Sequence, residues 1–255
     1  LEHPCVVEPI QQLVRRGFTY APLPVDRQGV VAPLPGGWPG DVRLVCVMLA
    51  NHETGAIQPV SELTATLDPA NPFHCDAAAA VGKMPVSFRK LGVTSLALSA
   101  HKFHGPKGIG ALLVRHDARL KPQLFGGHQQ QGERPGTEPV ALAVGLAAAL
   151  QLAVRRLATH RQHLLELRRR FLEVLRAEAA PVVLNGPEDG GLASAINLSF
   201  PGCAADVLLM NLDLAGVACS TGSACSSGSL LPSPVIHAMG VPDDVLRSAL
   251  RFSFS

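Results

Sequence analysis

The stretch SLALSAHKFHGPKGIGALLV, residues 95–114, carries most of what this sequence says about its fold. An apolar run of strand length (95–100) is followed by a histidine-lysine pair, a glycine-rich turn and a second apolar run (110–114). A lysine at the end of a buried strand has to be paired or neutralised. Burial that lowers its pKa is also what a lysine needs in order to bond covalently to a carbonyl cofactor, which makes Lys102 a candidate for that role. Ser99 and His101 beside it can donate hydrogen bonds to a phosphate. Taken alone, the segment reads equally as a glycine-rich surface loop with an incidental lysine.

Working outward, residues 42–50 form a further apolar run, and helical stretches separate these runs. Such alternation argues for an α/β layer around a largely buried sheet. Beyond Thr137 the texture changes. Residues 138–180 are rich in Ala, Leu, Arg and Glu with Gly145 the only breaker, and predict a long helix in one or two pieces. A Pro/Gly/Asn-rich turn region (183–191), a strand at 195–200, a helix near 204–212 and a last strand pair follow. A domain boundary is expected near residue 157, dividing 1–157 from 158–255.

Composition narrows the function. Hydrophobic residues make up 47% of the 255 and charged residues 16%, which excludes a disordered chain. A formal charge of +2 with dispersed Lys and Arg gives no electrostatic stripe for nucleic acid. The densest basic run, Arg168 to Arg170, reads as a solvated helix face. Residues 139–154, the longest apolar run, fall short of the ~20 residues that span a bilayer, so no membrane partner is expected. Six dispersed cysteines in a chain of this size do not form a disulfide framework, and a reducing cytoplasm fits them. No C-x-x-C or H-x-x-x-H spacing is present, so a structural zinc site is not expected. The chain opens on Leu1 and closes on an unpaired-looking strand, Arg251 to Ser255, as a piece of a longer chain would.

Two further segments bear chemistry. In FHCDAAAAVG (73–82), Asp76 ends a short apolar run. An acid there either caps a helix or keeps a pyridine nitrogen protonated. Its spacing from Lys102 allows two neighbouring strands joined by one connection, so that both residues reach one pocket. In ACSTGSACSSGS (218–229), Cys225 has only small residues around it, the setting of a nucleophile that must travel rather than of a packed core cysteine. Cys219 closes an apolar stretch (214–218) expected to lie in the sheet, and reads as structural.

Five ordered motifs resemble one family: N-x-E-T-G at 51–55, S-x-H-K-x-x-G-P-K-G at 99–108, R-P-G-T at 134–137, the 220–229 loop and the L-R-F-S ending. Together they resemble the cysteine desulfurases, class-V aminotransferase-like enzymes, and within them the iron-sulfur-cluster sulfur donors with a long active-site loop. The resemblance covers essentially the whole chain, and selenocysteine lyases share most of it. It implies pyridoxal-phosphate fold type I: a mixed, mostly parallel sheet in a large domain and a smaller α+β C-terminal domain. It implies L-cysteine as substrate, with L-alanine and a persulfide on Cys225 as products. Lys102 would hold pyridoxal 5'-phosphate, Asp76 the ring nitrogen, and Ser99 and His101 the phosphate. His3 would stack on the ring, while Thr137 would reach into the partner's site in a homodimer. Arg251, with Asn51, would bind the substrate, a guanidinium being suited to a carboxylate. A sulfur-acceptor or iron-sulfur scaffold protein would take the sulfur on. Three positions depart from the family pattern: His52 replaces an asparagine that contacts the ring oxygen, Ala79 a glutamine, and Gln129–Gln131 a Q-E-R segment. Selenocysteine lyase or another pyridoxal-phosphate lyase is the next reading; a non-catalytic scaffold has only these departures in its support, and the set Lys102, Asp76, His3, Arg251 and Cys225 speaks against it.

Overall fold

The computed structural model describes residues 1–222 and 232–255. After helix α1 (Pro4–Arg15), the first sheet is built from β1 (Val45–Cys46), β2 (Phe73–Asp76), β3 (Ser95–Ser99) and β4 (Gly110–Val114), in that spatial order. Its β1/β2 and β2/β3 pairings are parallel and β3/β4 is antiparallel. Short helices α2 (Val60–Thr66) and α3 (Phe88–Leu91) fill the two crossovers, as parallel neighbours require. In β2 the pleat buries Phe73 and Cys75 and leaves His74 and Asp76 half-buried, so the strand points its acid away from the apolar core.

The second sheet, β5 (Val183–Leu184), β6 (Ala195–Ser199) and β7 (Ala249–Ser253), is antiparallel throughout. With α5 (Ala205–Leu214), α6 (Pro234–Ala238) and α7 (Asp243–Arg247) it forms the α+β portion. All five residues of β6 are buried. Its polar members are paired in part: Asn185 donates to the Asn197 side-chain oxygen at 2.8 Å and to Ser199 at 2.6 Å, and Ser199 donates to the Val245 carbonyl at 2.6 Å, whereas the Asn197 Nδ2 is buried with no hydrogen bond.

One helix joins the two halves. Helix α4 (Val140–Glu178) runs 39 residues without a break, so residue 157 lies inside a continuous helix. Its first half packs Leu146, Ala149, Leu150 and Ala153 against the first core, and its second half packs Phe171, Leu172 and Leu175 against the second. Gly145 is explained by a close approach: a Cβ there would stand 3.0 Å from the Pro106 ring. By length and composition α4 is apolar enough to cross a membrane, contrary to the count over 139–154, and none of that stretch is fully buried.

Three expectations need correction. Arg168 is not solvated with its neighbours: it is buried and donates to the carbonyls of Pro187 at 2.8 Å and Ala195 at 3.3 Å. Arg169 and Arg170 stay exposed, and Arg169 pairs with Glu166 and Glu173. The stretch 214–218 is not a strand. Gly216, at φ +80°, ends α5, and the Gly216 and Val217 amides close its last turn on Asp213 and Leu212. Instead of a strand pair, Ser220 makes a single antiparallel bridge to Arg251. Within 42–50 only two residues count as strand. The ladder nonetheless continues, because Val45, Val47 and Leu49 donate to the carbonyls of Pro72, His74 and Asp76.

Candidate active site

Where the two halves meet, a cleft of about 530 Å³ opens beside α4. It is lined by His52, Lys83, His101, Lys102, Arg156 and Arg251 among others, and, among the described residues, by no Asp or Glu side chain. Each wall has a local cause. Directly after β3 the chain tightens into a 3-10 turn, Ala100–Phe103. Residues three apart share a face in such a turn, so Ala100 and Phe103 are buried while His101 and Lys102 face outward. Lys102 is therefore exposed at the cleft rather than buried at a strand end, a correction to the sequence expectation. The Ser99 hydroxyl and His101 Nδ1 are hydrogen-bonded at 2.8 Å.

The opposite wall comes from the turn 51–55. Asn51, fully buried, accepts from the Glu53 and Thr54 amides at 2.9 Å each, and its amide donates to the Leu1 carbonyl at 3.3 Å. Its polar atoms are spent on these bonds, and it is not one of the residues lining the cleft. The turn pushes His52 into the cleft, where Nε2 is buried with no hydrogen bond. Burial, then the charges of Arg251, His3 and Lys102, lower the His52 imidazole to about 4, so it is neutral at physiological pH. Its ring meets His3 edge-on at 5.6 Å between centroids. His3 also caps α1, accepting from the Cys5 amide at 3.2 Å. Arg251 reaches the cleft from β7, where it pairs with Asn197.

Asp76 ends β2 opposite Ala97 of β3 and accepts from the Ala78 amide at 2.8 Å. It is half-buried and is not one of the lining residues, although Ala79, three positions on, is. Thr137 is exposed and lies outside the cleft, and Gln129–Gln131 form a turn in which Gln129 is half-buried and Gln130 and Gln131 are exposed. Cys225 falls outside the described residues. Among the other cysteines, burial pushes the thiols of Cys46 and Cys75 up to about 12, and raises that of Cys219, which half-buries against the second core. None of these three is poised as a nucleophile.

Two residues of the site escaped the sequence reading. Glu53 is buried, and burial holds its carboxyl above the ordinary value against the opposing Ser233 hydrogen bond and the charge of Arg251; it accepts from the Ser233 hydroxyl at 2.6 Å. It thereby ties the 51–55 turn to a residue 180 positions away. Its signal was the E of N-x-E-T-G, quoted only as part of a motif. Lys83 followed Asp76 too closely to stand out.

The fold and the cleft agree with comparisons to known proteins. The family model described as aminotransferase class-V matches residues 1–255. The cysteine desulfurase IscS of Dictyoglomus turgidum is 41% identical over 99% of the chain, and a cysteine desulfurase of Klebsiella pneumoniae is 38% identical over all of it. The chain spans 65% of the length of each of these relatives. Among solved structures, a NifS-like protein superposes with a TM-score of 0.88 at 32% identity, covering 99% of this chain and 67% of its own. SspA in complex with cysteine superposes at 0.81 and 28%, covering 99% and 71%. With the matched model extending over its whole length and the strand order, the lysine turn and the basic cleft in place, the chain belongs to the class-V aminotransferase family.

Proposed function

We propose that the protein is a pyridoxal-phosphate-dependent cysteine desulfurase that takes sulfur from L-cysteine, releases L-alanine and holds the sulfur on Cys225. The observation that carries this reading is the cleft itself, which sets an exposed lysine, Lys102, among cations with, among the described residues, no carboxylate side chain in its lining. Such a lining suits a ligand with an anionic group. The buried, unbonded Nε2 of His52 offers that ligand's ring a polar contact. The residues present therefore fit pyridoxal phosphate, the cofactor of this family.

When bound, the cofactor supplies an electron sink through its protonated pyridine ring. Lys102 holds it through its amine, and the Asp76 carboxylate keeps the proton on the ring nitrogen. Ser99 and His101 bind the phosphate, joined by Thr137 from a second copy in a homodimer. His3 packs against the ring, and His52, neutral, bonds the ring oxygen in place of the family's asparagine. Arg251 orients the substrate carboxylate, and Cys225 accepts the sulfur for transfer to an acceptor or iron-sulfur scaffold protein, in the cytoplasm.

Borohydride reduction of the purified protein followed by peptide mass spectrometry tests the lysine. A pyridoxyl label on Lys102, lost in Lys102→Ala, is expected; a label on Lys83 or Lys107 contradicts the assignment.

A further inference from the structure

The cleft holds two cations, Lys83 and Arg156, that have no task in the proposed function, and Lys83 lies on the same sheet as Lys102. Lys83 follows the turn after β2, where its amide donates to the Ala80 carbonyl at 3.0 Å, and its side chain lines the cleft together with Lys102 and Arg251. Its point of departure is fixed: Gly82, at φ +81°, is so close to Phe103 that an added Cβ would lie 2.6 Å from the Phe103 Cβ. Among the described residues, no carboxylate lies within ion-pair distance of Lys83. Arg156 of α4 adds a further cation to the same wall. Burial, and then the charges of Lys102 and Arg251, lower the Lys83 ammonium. Desolvation and like-charge repulsion both disfavour this arrangement until an anion enters.

We propose that Lys83 is a second binding contact for the substrate carboxylate, holding it from the side of the first sheet while Arg251 holds it from the second. This rests on the desulfurase reading. The two cations differ in what they contribute. A guanidinium sets the orientation of the carboxylate by its planar fork, whereas an ammonium adds a point charge that tolerates small movements of the ligand. Lys83 is accordingly a residue of affinity and of selectivity for amino acids over plain amines. The cofactor phosphate, with Ser99 and His101 at the 3-10 turn, is the other anion within the same cleft, and the experiment separates the two.

The test uses the holoprotein and two ligands that cannot lose sulfur, L-alanine and ethylamine, which lacks the carboxylate; binding is read from the cofactor's absorbance. In Lys83→Met, which keeps the aliphatic stem, the Kd for L-alanine should rise roughly tenfold, a change of about 1.4 kcal/mol, while that for ethylamine and the cofactor content stay as in the parent. Lys83→Arg should restore most of the affinity, and the KM for L-cysteine should follow the Kd with kcat little changed. Equal shifts for both ligands, or none, overturn the proposal. Loss of cofactor in Lys83→Met also overturns it, because the lysine would then serve the phosphate or the fold. A parent protein that takes up cofactor but binds L-alanine no better than ethylamine overturns it as well. If the parent binds L-alanine normally yet releases no sulfide from L-cysteine, the desulfurase reading fails and the carboxylate contact stands.

Discussion

His52 shows how burial sets the charge of a site residue. Its imidazole is lowered from 6.5 to about 4, so the folded protein binds the neutral form while the unfolded chain takes a proton below 6.5. The contribution to stability is therefore complete above 6.5 and is lost progressively as the pH falls toward about 4, by roughly 3 kcal/mol in all. Denaturant melts across that range should show this slope, and His52→Asn should flatten it. A parent slope no steeper than that of the variant would mean that His52 is not desolvated in solution. At this scale the sequence was informative about identity and uninformative about environment. The motif S-x-H-K singled out Lys102, but whether the lysine is buried depended on the 3-10 turn that rotates it outward, and no side-chain pattern in 95–103 announces that turn.

Among the elements, the turn at 51–55 does most to assemble the cleft. Asn51 organises it, so Asn51→Ala would leave the buried Glu53 and Thr54 amides without an acceptor and should cost about 2 kcal/mol or more. Urea unfolding would measure this loss. Unchanged stability combined with weakened ligand binding would instead support the substrate role that the motif suggested. The confusion is physical: a polar residue in a conserved-looking loop pattern reads the same whether its amide faces a ligand or its own backbone. Periodic elements were far more legible. Strand β4 lies where the apolar run 110–114 put it, and α4 runs from Val140 to Glu178 against an expected 138–180. The segment 214–218 failed because Leu-Ala-Gly-Val-Ala is apolar enough for a strand, yet its glycine is the residue that ends α5.

For the whole molecule, two sheets of different construction share a cleft whose cations come from both. Lys83 and Lys102 stand on the mixed first sheet and Arg251 on the antiparallel second, with α4 packed against each. On the proposed function, this layout would put the cofactor's anchor, Lys102, on the first half and substrate contacts on both, Lys83 on the first and Arg251 on the second. The sequence revealed both halves through their motifs but could not show that their cations converge, since convergence depends on long-range packing such as the Glu53–Ser233 hydrogen bond. The most direct test is to supply L-cysteine under reducing conditions and quantify sulfide and L-alanine together. The account predicts equal amounts of both, abolished in Cys225→Ser and retained in Cys219→Ser. Sulfide release surviving in Cys225→Ser, or absence of L-alanine from an active parent protein, would contradict it.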